Sequence, residues 1–137
     1  MKFKTKIIAE VGINHNKSVY LAKKLIKKAK DAGADYVKFQ IFNPSEILSI
    51  YAKKSSYQKI NSSDNESQLS MVKKFELKNN DFLVLKEECK KRDIKFLCSP
   101  FDINSATFLN KIGEKIIKIP SGEITNLILL KEIGKFK

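Results

Sequence analysis

Arginine, histidine and cysteine are scarce in this chain, and long apolar runs are missing altogether. Arg92 is the only arginine among 27 basic residues, so the net charge of +12 is almost wholly lysine. Surfaces that grip phosphate backbones usually mix arginine with lysine and gather them on one face. Here Lys23, Lys24, Lys27 and Lys28 fall on solvent-facing helical positions, a balance that an AT-rich genome leaves on any protein surface. No nucleic-acid partner is expected. Cys89 and Cys98 do not form a CxxC pair and read as buried, reduced thiols. No stretch approaches the roughly 20 apolar residues of a membrane-spanning helix. The opening MKFKTKIIAEVGINHN has lysines before an apolar run, but Glu10 and Asn14 interrupt it and no small-residue cleavage site follows, so a cytoplasmic location is expected.

What is present is an alternation of strand and helix. Lys6 to Val11 reads as a first strand ending at Gly12. Ser18 to Ala32 carries Leu21, Ala22, Leu25, Ile26, Ala29 and Ala32 at helical spacing, with Gly33 where a helix-ending glycine belongs. Tyr36 to Phe42 is a second strand, and a long polar segment follows. That segment includes SSDNES at Ser62 to Ser67, expected to be a mobile loop, and a helical turn or two around Leu69 to Phe75. Asp81 to Arg92 is an amphipathic helix with Phe82, Leu85 and Cys89 on one stripe. Ile94 to Phe101 is a third strand, Asn104 can cap a helix running to Ile112, and Lys115 to Ile119 is a fourth strand. A last helix starts near Asn126.

Successive β–α units imply a parallel sheet, because parallel strands need helical crossovers. An open doubly wound sheet and a barrel both fit. A (β/α)8 barrel takes about 250 residues, so 137 residues with four units correspond to about half of one. Polar residues at the strand ends favour the barrel: Glu10 on the first, Lys38 and Gln40 on the second, Ser99 on the third, and Lys118 with Ser121 and Glu123 on the fourth. Barrel active sites are built on that C-terminal rim from several strands. A lysine within an apolar strand is costly unless it meets an acid or an anion. Two such lysines at matched positions imply a small anionic substrate, each ammonium contributing about 4 kcal/mol at 4 Å and an effective dielectric of about 20. Glu10 and Glu123 are then available for acid–base work. Either lysine taken alone is equally well read as a strand-end residue reaching solvent.

The blocks IIAEVGINHN (Ile7 to Asn16), ADYVKFQ (Ala34 to Gln40), SQLSMVKKFEL (Ser67 to Leu77), FLCSPFD (Phe96 to Asp102) and KIPSGEITNLILL (Lys118 to Leu130) together resemble the N-acetylneuraminate (sialic acid) synthase family. The resemblance covers essentially the whole chain and implies the N-terminal half of a TIM-type (β/α)8 barrel. It also implies a reaction. C3 of phosphoenolpyruvate joins the aldehyde of an open-chain N-acetylmannosamine-type sugar, water attacks an oxocarbenium-like C2, and the C–O bond to phosphate breaks.

Carried over by motif, Lys38, Ser99, Lys118 and Ser121 would hold the phosphate and carboxylate of phosphoenolpyruvate, with Gly122 allowing close backbone approach. Glu10 and Glu123 would be catalytic, contacting the aldehyde or the attacking water. Asn14, His15, Gln40 and Phe101 would line the sugar side of the pocket. The family's divalent metal, Mn²⁺ or Mg²⁺, would take histidine ligands from later strands, so no metal ligand is expected in this chain; His15 is read as shaping a loop instead. Relatives are expected to continue past Lys137 into a fifth strand, the metal ligands and an antifreeze-like domain that completes the site in a homodimer. The 137 residues alone are then expected to be inactive.

Lys17 departs from the family pattern, which has glycine there. Two other readings stand beside the synthase: a non-catalytic half-barrel that assembles or weakly binds anions, and a different phosphoenolpyruvate–aldose synthase. The acceptor sugar, N-acetylmannosamine or a precursor of legionaminic or pseudaminic acid, is left open by these residues.

Overall fold

A computed structural model describes residues 5–49, 51–52 and 67–136. Three parallel strands in the order β1-β2-β3 form the sheet: β1 Ile8–Gly12, β2 Tyr36–Ile41 and β3 Lys95–Pro100. Among the described residues six α-helices accompany them: α1 Val19–Asp31, α2 Pro44–Ile47, α3 Gln68–Lys73, α4 Asn79–Lys91, α5 Ile103–Lys111 and α6 Leu127–Ile133. No helix among the described residues is long and apolar enough to cross a membrane. Apart from Ser67, the SSDNES segment lies outside the described residues.

The strands sort their side chains by alternation. Val37, Phe39 and Ile41 of β2 and Phe96 and Cys98 of β3 turn toward the helices. There they join Ile26 of α1 and Leu85 and Cys89 of α4 in one core cluster. The Phe39 and Phe96 rings stack with centroids 5.8 Å apart. Burial pushes the Cys89 thiol up to about 12, and the more deeply buried Cys98 thiol higher still, so both are unreactive at neutral pH. Tyr36, Lys38, Gln40, Leu97 and Ser99 lie on the opposite face, which in a TIM-type barrel is the interior.

Local chemistry sets the helix boundaries, and it corrects three sequence expectations. Asp102, not Asn104, caps α5: its Oδ1 accepts from the Ser105 amide at 2.7 Å. Both residues are of the N-capping type, but only Asp102 sits at the corner where β3 turns into the helix. Helix α4 starts two residues before Asp81, whose carboxylate reaches back to accept from the Lys78 amide at 2.8 Å, one half of a capping box. The expected fourth strand, Lys115 to Ile119, forms a single parallel bridge, Cys98 to Ile117, with the Lys118 amide donating to the Cys98 carbonyl at 3.3 Å. It is paired on one side only, and Pro120 beyond it has no amide proton with which to extend the ladder.

Candidate functional site

The C-terminal ends of the strands gather polar and charged side chains along one rim. Glu10 and Lys38 are register partners across β1 and β2, and Gln40 pairs with Ser99 across β2 and β3. The register shifts between Glu10 and Gly12, a bulge in β1 after which pairing resumes at Gly12 opposite Phe39. Such bulges commonly re-aim side chains beside active sites. Lys38 is 5 % exposed, and its ammonium lies 2.7 Å from Glu10 Oε2 and donates to Ser99 Oγ at 3.3 Å. An ammonium has three protons to donate, so these two partners leave one direction for an incoming anion.

Gly12 adopts φ +54°, and a Cβ there would stand 3.2 Å from Glu10 Oε1 and 3.7 Å from Gln40 Nε2. Any side chain at position 12 would crowd Glu10 and strain the backbone, so glycine is what lets the carboxylate and the amide share this corner.

Lys118 stands one strand further along. Extending the Cys98–Ile117 bridge by one residue sets it beside Ser99 on the interior face. Its side chain is exposed and, among the described residues, makes no hydrogen bond or ion pair with the Lys38 group. Ser121 to Glu123 form a single 3-10 turn, in which Gly122 has open space where a Cβ would be. Glu123 Oε2 accepts from Asn126 Nδ2 at 2.8 Å, and Asn126 in turn caps α6 through the Leu129 amide. The structure thus joins Glu10, Lys38 and Ser99, with Gln40 adjacent, and leaves Lys118, Ser121, Gly122 and Glu123 as a separate group on the next segment.

Asn14 is exposed in the turn after β1, its amide donating to the Val11 carbonyl at 3.0 Å. Phe101 packs edge-on against Phe42 with centroids 6.3 Å apart, directly after β3. His15 stands elsewhere. It is 1 % exposed and its ring lies 6.3 Å from that of Phe39, on the helix side of the sheet and away from Lys38. Among the described residues no three His, Cys, Asp or Glu side chains gather to hold a metal ion, so these residues do not by themselves make a site for a divalent cation.

Asp102 was not singled out as a site residue by sequence. Its Oδ2 accepts from the Asn43 amide and from Ser105 Oγ at 2.8 and 2.7 Å, so one buried carboxylate ties the turn after β2 to the turn after β3. An aspartate at a strand end is of the N-capping type, but so is Asn104 two residues on, and local pattern does not choose between them. Lys17 was noted as a departure, and its backbone proves left-handed at φ +61°. Its Nζ donates to the Lys73 carbonyl at 3.3 Å, tethering α3.

A parallel sheet flanked by helices, with a buried lysine and polar side chains along one rim, is the arrangement of an arc of a TIM-type barrel. Residues 25–137 match the NeuB family model, and the chain belongs to that family. It is 53% identical over 132 residues to the N,N'-diacetyllegionaminic acid synthase of Campylobacter jejuni, covering 96% of this chain and 40% of that protein. The synthase of the same name from Legionella pneumophila is 42% identical, with 96% and 37% covered. Among solved structures, the N-acetylneuraminic acid synthetase of Leptospira borgpetersenii, in complex with citrate, superposes with a TM-score of 0.78 at 35% identity, covering 95% of this chain and 41% of that one. The chain therefore spans about two fifths of the length of these relatives.

Proposed function

We propose that this chain contributes the phosphoenolpyruvate side of a nonulosonic acid synthase, which condenses phosphoenolpyruvate with an N-acetylated amino sugar and releases phosphate. The carrying observation is the buried Lys38 ammonium, held by Glu10 and Ser99 with one proton direction left over. Lys38, Ser99, Lys118 and Ser121 bind the phosphate and carboxylate, and Gly122 admits the substrate to the backbone. Glu10, its carboxylate within reach of the Lys38 proton, and Glu123 handle protons at the aldehyde and at the attacking water. Gln40, Asn14 and Phe101 face the sugar. A divalent cation held by residues outside this chain would polarise the aldehyde.

The acceptor is a diacetamido sugar that leads to N,N'-diacetyllegionaminic acid. Two relatives bearing that product's name, at 53% and 42% identity, favour it over N-acetylmannosamine. The enzyme works in the cytoplasm as a homodimer in its extended form. The test is phosphate release from phosphoenolpyruvate with each sugar and Mn²⁺, on the 137-residue chain and on a version extended to the length of the relatives. Turnover by the extended form only, faster with the diacetamido sugar, is expected. Phosphate release with neither sugar from a folded extended protein would overturn the reading.

A further inference from the structure

His15 is the chain's only histidine, and its Nε2 is the one side-chain polar atom among the described residues that is buried without a hydrogen-bond partner. Buried polar groups without partners are rare enough to need a reason. The other ring nitrogen supplies one. The Lys17 amide donates to His15 Nδ1 at 3.1 Å, so Nδ1 carries no proton and, in a neutral ring, Nε2 must.

The residues bridged by this bond are the costly ones. Asn16 and Lys17 sit consecutively at φ +47° and +61°, a conformation that disfavours any residue with a Cβ. The same turn is bound at either end by Asn16 amide to Ile13 carbonyl, 3.1 Å, and Ser18 amide to His15 carbonyl, 2.9 Å. It connects Glu10 and Gly12 to the Ser18 cap of α1 and carries Asn14 on its exposed side.

We propose that His15 is a positioning residue: a neutral imidazole, protonated at Nε2, whose bare Nδ1 holds the Lys17 amide and so locks the left-handed turn that presents Asn14 at the rim. Its relevance to the sugar side rests on the function proposed above; the lock itself does not. From α4 the charge that acts on the ring is Asp81, β2 presents the Phe39 ring, and the turn's own cation, Lys17 Nζ, reaches to the Lys73 carbonyl of α3. Burial, which outweighs Asp81, holds the ring's pKa below its ordinary value and keeps the acceptor nitrogen bare at neutral pH.

With a single histidine, the imidazole ¹⁵N spectrum of the 137-residue chain reads the tautomer directly. An Nε2-protonated neutral ring at pH 7, with a Lys17 amide slow to exchange, is expected. His15→Asn places an amide oxygen near the Nδ1 position and retains slow exchange at Lys17. His15→Phe keeps the bulk without the acceptor and speeds that exchange at least tenfold. An Nδ1-protonated or charged ring at pH 7, or a phenyl variant with wild-type protection at Lys17, overturns the proposal. Should neither variant fold, the tautomer of the unmodified chain decides alone. In the extended enzyme, His15→Phe is expected to raise KM for the sugar while leaving KM for phosphoenolpyruvate unchanged; equal rises in both would refute the rim role. The spectroscopic outcomes need no turnover, so they stand or fall apart from the proposed reaction.

Discussion

The two faces of β2 are built on opposite principles, though they alternate along six residues. On the helix side Val37, Phe39 and Ile41 are sealed by α1 and α4 in apolar surroundings, with the buried His15 ring against Phe39 as the polar exception. On the other side Ile8 and, beyond β3, Ile116 are about half exposed, while the polar Lys38 between them is buried. The apolar face supplies stability. The mixed face carries a charge whose removal from water is answered by one carboxylate, one hydroxyl and, on our reading, a substrate anion.

Substitutions can break that division of labour. The largest stability effect is expected from Leu85→Ala, which opens a cavity against a fully buried position. A loss of about 2–5 kcal/mol in urea unfolding is expected, with no change in the affinity of any protein that remains folded. Lys38→Met should do the reverse. Stability is expected to change by no more than about 1 kcal/mol, since losing a half-exposed ion pair is offset by removing a buried charge. Phosphate release by the extended enzyme should fall at least a hundredfold, consistent with about 4 kcal/mol of Coulomb attraction at moderate dielectric. If both quantities moved together, the two faces would not be separable.

Asp102→Ala tests the joint between them. It strands the Asn43 and Ser105 amides and the Ser105 hydroxyl, and a cost of about 2 kcal/mol is expected in the same unfolding assay. The smallest effect concerns Lys17. Lys17→Gly relieves the left-handed strain but frees the unfolded chain and loses the tether to Lys73, for a net change within about 0.5 kcal/mol. Lys17→Ala keeps the strain, loses the tether to Lys73, and should lower stability.

His15 adds a pH dependence of predictable sign. Its folded-state pKa lies below the ordinary 6.5, so below pH 6.5 the unfolded chain takes up a proton that the folded one refuses. Stability from this group is intact above that value, falls as the pH drops through 6.5, and levels off once the folded ring titrates. The His15→Phe variant should lack this component of the acid limb.

Much of this architecture was legible from one-dimensional pattern. Helix α1 announced itself through Ser18, the Leu21–Ala29 periodicity and Gly33, all local features, and it was found from Val19 to Asp31. The rim residues could be located because side-chain alternation and strand ends are local too. What local pattern could not say is which rim residues meet. Glu10 and Lys38 are 28 positions apart, and only the β1–β2 register makes them partners. Nor could it separate Asp102 from Asn104 as the cap, since both have the chemistry and only one sits at the corner. The Lys115–Ile119 segment has the composition of a strand, yet pairing is a property of neighbours, and it found one neighbour at one residue. His15 marks the limit most sharply. The sequence by itself determined that a lone histidine stands five residues beyond a rim glutamate; the tertiary structure turned it through the sheet to the apolar side. That decision lay in two left-handed residues, Asn16 and Lys17, whose conformation is stabilised by contacts and a hydrogen bond that exist only once the turn has closed.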